Sequence, residues 1–98
     1  MYIKIHHSYR KIVAICDSEI LGKKFEEGKK QLDVRENFYK GEKFNEEIIA
    51  KIMKEEKADD ATFNIAGERA VNLALKTGVI GNGNVGKVDG IPFALVLL

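Results

Sequence analysis

The sequence has no tryptophan, one proline and one cysteine among its 98 residues. A lone cysteine excludes an internal disulfide framework and a cysteine-based zinc cluster. It fits a reducing compartment, so a cytoplasmic location is expected. No apolar run approaches the ~20 residues that a membrane helix requires, and no stretch near the start reads as a secretory signal. A surplus of one charge is missing as well: 16 basic and 15 acidic residues leave a net charge of +1. Binding a polyanion by bulk charge alone needs a larger cationic excess. The sequence carries no DNA-binding signature, and no membrane partner is expected.

What is present suffices for one domain. Hydrophobic residues make up 45% of the chain, enough for a single core of Ile, Val, Leu and Ala. The charge is spread unevenly, with ten basic and seven acidic residues through Phe44, then five basic and seven acidic residues from Asn45 to Thr77. A local basic face on the N-terminal half is therefore permitted.

Tyr2 to His6 alternates with period two, and Lys11 to Cys16 is apolar on both sides. The pair reads as a hairpin whose second strand is the more central. Residues 23–27 and 30–34 flank Gly28-Lys29, which leaves two readings open: a polar hairpin, or a strand with an irregular loop. Residues 35–40 read as one helical turn, stopped by a left-handed Gly41. Asn45 is a good helix cap ahead of Glu46 and Glu47, and Ile48, Ile49, Ile52 and Met53 fall on one face of a helix reaching about Lys57. A short strand over 61–65 leads to a helix that starts at Gly67 and ends at Gly78. Val85 to Val88, Asp89-Gly90 and Ile91 to Leu98 form the clearest hairpin signal, with a type I′ turn. The expected fold is α+β: a single compact domain over 1–98, with a mostly antiparallel sheet built from hairpins and packed against two main helices.

Few motifs carry chemistry. Gly81-Asn82-Gly83-Asn84-Val85-Gly86 spells a dinucleotide fingerprint, yet it follows a helix, precedes a strand and has no acid about 20 residues on. It reads as a loop. His6 and His7 are adjacent on a strand and point to opposite faces, so they cannot share a metal. Cys16 precedes Asp17, which opposes thiolate formation, so a buried structural thiol is expected. No catalytic residue, metal ligand or cofactor is assigned.

Two segments could bind something. At Asn64 to Ala70 a strand runs through Gly67 into a helix, a geometry that leaves amide hydrogens free for an anion. Asn64, Gly67, Glu68, Arg69 and Asn72 are the candidate ligand-binding residues. The structural alternative has Arg69 in an internal ion pair and the helix start capped from within. Lys23, Lys24, Lys29 and Lys30 bracket a Glu-Glu pair, and a hairpin tip of that kind can touch an RNA backbone.

The paired strands ending in Cys16-Asp17, then Leu21-Gly22-Lys23, Glu36-Asn37-Phe38-Tyr39 with Gly41, Asn64-Ile65 with Gly67-Glu68-Arg69-Ala70, and Gly90-Ile91-Pro92 together resemble an archaeal family, domain of unknown function 424. The resemblance spans nearly the whole chain. It implies a cytoplasmic protein without established enzyme activity and an association with translation genes. It assigns a catalytic role to none of these residues. The leading expectation is a non-enzymatic accessory protein that binds RNA or a ribonucleoprotein partner in translation. The alternatives are a protein-interaction module or homodimer using the apolar C-terminal strand, and a small enzyme or binder of an anionic ligand at the Gly67 helix start.

Overall fold

Tyr2–His6 (β1) and Ile12–Cys16 (β2) pair antiparallel, with Tyr2 opposite Cys16 and His6 opposite Ile12. The computed structural model describes residues 1–97. Lys24–Glu27 (β3) and Lys30–Asp33 (β4) form a hairpin, which settles the two readings left open for that segment. This hairpin is a two-stranded sheet of its own. Glu36–Tyr39 (α1) is the single expected turn, followed by the two-residue strand Glu42–Lys43 (β5). Gly41 is not left-handed as expected. A Cβ there would overlap the Ile3 carbonyl oxygen, so glycine serves a close backbone approach instead.

Glu46–Ala58 (α2) begins as predicted: the Asn45 side chain accepts a hydrogen bond from the Ile48 amide at 3.0 Å. Ile49 and Met53 are fully buried, but Ile48 is 42% exposed and lies off the buried face. Thr62–Ala66 (β6) leads into Glu68–Thr77 (α3), which ends at Gly78 with φ 79°. Val85–Val88 (β7) and Ile91–Val96 (β8) close the fold, and both Asp89 and Gly90 have the positive φ of a type I′ turn. Leu98, included in the strand expected from the sequence, lies outside the described residues.

The main sheet has six strands in the order β5-β1-β2-β6-β8-β7. All neighbours are antiparallel except β2 and β6, which run parallel with Cys16 beside Ala66. The architecture is α+β, as expected, with this one parallel pair at its centre. Strand alternation then sorts side chains to two faces. Ile3, Val13, Ile15, Phe63, Ile65 and Ala94 point to one face, where α2 and α3 cover them with Ile49, Met53, Ala70 and Val71. Ala14, Cys16, Ala66 and Val88 point to the other, under Ile20, Leu32, Val34 and Tyr39 from the segment between β2 and α2. The apolar strand β8 is internal, paired on both sides.

Candidate functional site

The parallel pair β2 and β6 brings the carboxyl ends of two central strands side by side. After Cys16 the chain passes through a short 3-10 turn, Ser18–Ile20, whose Ile20 packs on the β3–β4 side. After Ala66 it passes through Gly67 into α3, which packs on the opposite face. Backbone bonds hold this junction, Asp17 N–H donating to the Ala66 carbonyl (3.0 Å) and Gly67 N–H to that of Pro92 (2.9 Å).

The amides that the sequence leaves free at the helix start are occupied. Asp17 Oδ2 accepts from the Arg69 amide at 2.9 Å and Oδ1 from the Ala70 amide at 2.7 Å. A carboxylate from 52 residues upstream thus supplies the anion that a helix N-terminus favours. Gly67 is required here for two reasons. Its φ is 107°, and a Cβ would collide with the Asp17 carboxyl group. Asp17 is 3% exposed. Burial pushes its carboxyl above the usual range, opposed by the Arg69 and Ala70 amides.

The Arg69 guanidinium is turned outward onto Glu46 Oε1, at 3.1 Å from Nη2 and 3.3 Å from Nε. This is the internal ion pair of the structural alternative, and both partners are largely exposed. Asn64 does not join the corner. It alternates with Phe63 and Ile65 and so lies on the sheet face opposite α3, between Ala14 and Leu95. Glu68 and Asn72 line a 280 Å³ cleft between α3 and the β7–β8 hairpin, with Lys87 and Asn82, and Asn72 also borders a 170 Å³ cleft beside Arg69 and Glu46. Of the five candidates, only Gly67 and the backbone of Arg69 meet at the corner. Asp17 is the residue that sequence reasoning missed. Its signal was a charged side chain closing an otherwise apolar strand.

A sequence model of the family described as "Protein of unknown function (DUF424)" matches residues 5–98. The chain belongs to this family. A search of curated proteins found no match. The DUF424 fold also occurs in an uncharacterized conserved protein from Methanopyrus kandleri, whose crystal structure is similar with a TM-score of 0.85 at 23% identity. The similarity covers 97% of this chain and 88% of that one.

The remaining DUF424 candidates lie on the β3–β4 hairpin, which forms an arm across the second face. Lys23 precedes the arm, Lys24 begins it, and Lys29 and Lys30 sit at its tip, all exposed. Lys24 has Glu26 at 3.7 Å. Among the described residues, Lys23, Lys29 and Lys30 form no ion pair within 4.0 Å. The tip is anchored by Glu27, whose Oε1 accepts from the Asp89 amide at 2.7 Å. Lys30 alternates with Gln31 onto the same side as Leu32, which is the inner side.

Histidine and cysteine take structural places. The His6 ring stacks on Phe38 with centroids 4.6 Å apart, and its Nε2 donates to the Phe38 carbonyl at 2.8 Å. That bond requires the proton on Nε2. Cys16 is buried, and its thiol is pushed up to about 12 by burial and then by the charge of Asp17. Among the described residues no group of three His, Cys, Asp or Glu side chains is placed to hold a metal. None of the helices is long and apolar enough to cross a membrane.

Proposed function

We propose that this DUF424 chain is a non-enzymatic accessory protein that binds RNA or a ribonucleoprotein partner in the cytoplasm. The observation that carries the reading is the arm: a two-stranded sheet apart from the main one, with Lys23, Lys29 and Lys30 exposed and, among the described residues, unpaired. Unpaired ammonium groups on the exposed side of such a hairpin can displace the counterions of a phosphate backbone. The Gly67 helix start adds nothing to this, because Asp17 already occupies its amides. The translational setting rests on the family resemblance alone. Filter binding against total tRNA and rRNA at about 50–100 mM salt tests it. Retention should fall as salt rises. Replacing Lys23, Lys24, Lys29 and Lys30 together by Gln should make the slope of log affinity against log salt shallower, by roughly 0.7–0.9 for each phosphate that is no longer neutralised. Absence of salt-sensitive retention by the unmodified protein overturns direct RNA binding.

A second reading is favoured by one different observation. Leu95 on β8 and Leu97 just beyond its end are 45% and 75% exposed. Because β8 is paired on both edges, a second copy cannot add a strand to it and would have to pack face to face. Light scattering at high concentration decides: a strictly monomeric species excludes the homodimer.

A further inference from the structure

Adjacent parallel strands whose chains depart to opposite faces open a crevice at their carboxyl ends, and ligands of open α/β sheets bind there. This molecule has one such place among the described residues, between the ends of β2 and β6. A cavity of 540 Å³ opens there. Asp17, Ser18 and Glu19 form one wall, Lys43 and Phe44 another, and Arg69 stands beside them.

The two walls carry opposite charge. On the first, the Glu19 carboxylate and the Ser18 hydroxyl have no hydrogen-bond partner among the described residues, and Asp17 closes the floor with a nearly buried carboxyl. On the second, the Lys43 ammonium has no carboxylate within 4.0 Å among the described residues and lies 5.5 Å from the centre of the Tyr2 ring. The ammonium of Met1, which also lines the cavity, donates to the Phe44 carbonyl at 3.1 Å. Arg69 uses Nε and Nη2 on Glu46, which leaves Nη1 unused. Polar groups that converge on a cleft beside an apolar side chain are the usual composition of a small-molecule site. A simple anion would meet Glu19 and Asp17 as well as the cations. A simple cation would meet Lys43 and Arg69. A ligand bearing both charges a few bonds apart satisfies both walls.

We infer that this cavity binds a small zwitterion of the α-amino-acid class, its carboxylate held by Lys43 and Arg69 and its ammonium by Glu19. Phe44 flanks the space left for the side chain. The site is separate from the lysine arm, so its occupancy and RNA retention are independent measurements.

The test is NMR titration of the full chain with each of the twenty free α-amino acids, using acetate and methylammonium as half-ligand controls. At least one amino acid should shift the amides of residues 17–19, 43–45 and 69 saturably, while neither control does so at the same concentration. Lys43→Ala and Glu19→Gln, both at exposed positions, should each weaken that binding roughly ten- to a hundredfold, the loss expected for one charge-assisted hydrogen bond. Their melting temperatures should stay at that of the unmodified protein. The inference is overturned if no amino acid at about 10 mM or below, the weak end of specific affinity, perturbs these amides. Acetate binding as well as the amino acid would overturn it too, by making the site a plain anion site. So would retention of full affinity in either variant.

Discussion

The two faces of the six-stranded sheet are covered by different means. On one face α2 and α3 lay down regular apolar stripes, and Phe63, Ile65 and Val13 beneath them are essentially inaccessible. On the other face the cover is assembled from the 3-10 turn, the β3–β4 arm and the single turn α1. It seals Ala14, Cys16 and Ala66 but leaves Leu95 and Leu97 to solvent. Two long helices cover a sheet more completely than short pieces do, because each buries a continuous stripe about 100° wide. The difference places the stability of the molecule mainly under the helices. It leaves the other face, with its lysine arm and exposed leucines, more open to solvent.

Mutations can sharpen that contrast. Phe63→Ala, at the centre of the helix face and 1% exposed, should cost about 3–5 kcal/mol of unfolding free energy in denaturant titration. Asp17→Ala, which breaks the tie between β2 and α3, should cost about 2–3 kcal/mol by leaving two helix amides without a partner. Leu32→Ala on the arm should cost about 2 kcal/mol, the low end for such a change, because the arm can settle onto the gap. A loss at Leu32 as large as that at Phe63 would break the comparison and make the arm an equal part of the core. Leu95→Ser and Leu97→Ser should stay within about 0.5 kcal/mol, as surface changes do.

Asp17 also predicts a pH dependence with a definite sign. Its folded carboxyl sits above the usual range because burial disfavours the charge. A group raised in this way contributes its stability fully below the unfolded value and loses it as pH rises through the folded one. The deficit of Asp17→Asn relative to the unmodified protein should therefore shrink from about pH 4, near the unfolded carboxylate value, toward neutrality. Denaturant titrations at both ends of that range check the direction. A deficit that grows with pH would mean that the two amides outweigh burial.

Much of the fold was legible locally. The Asn45 cap, the left-handed Gly78 and the Asp89-Gly90 turn all act through backbone geometry within a few residues, so their residue types announce them. Two local inferences failed. Ile48 belongs to an apolar cluster in sequence but lies just beyond the stripe that meets the sheet. Gly41 looked like a helix stop, yet its demand comes from β1, far earlier in the chain, where the Ile3 carbonyl leaves no room for a Cβ. The candidate corner was recognised as a strand, a glycine and a helix start, but its occupant was not visible. Asp17 lies 52 residues from the Arg69 amide it caps, and only the parallel pairing of β2 with β6 brings them together.

By itself the sequence determined both main helices, the first and last hairpins and most of the residues they bury, though not the short turn Ser18–Ile20, β5 or the outward side of Ile48. Periodicity and turn chemistry depend on neighbours along the chain, and those neighbours are known without folding. Tertiary structure alone decided that the helix start is closed, that Arg69 faces Glu46, and that the apolar last strand is internal. Each of those outcomes depends on which distant strand lies alongside, and strand pairing between remote segments leaves no periodic trace in either one.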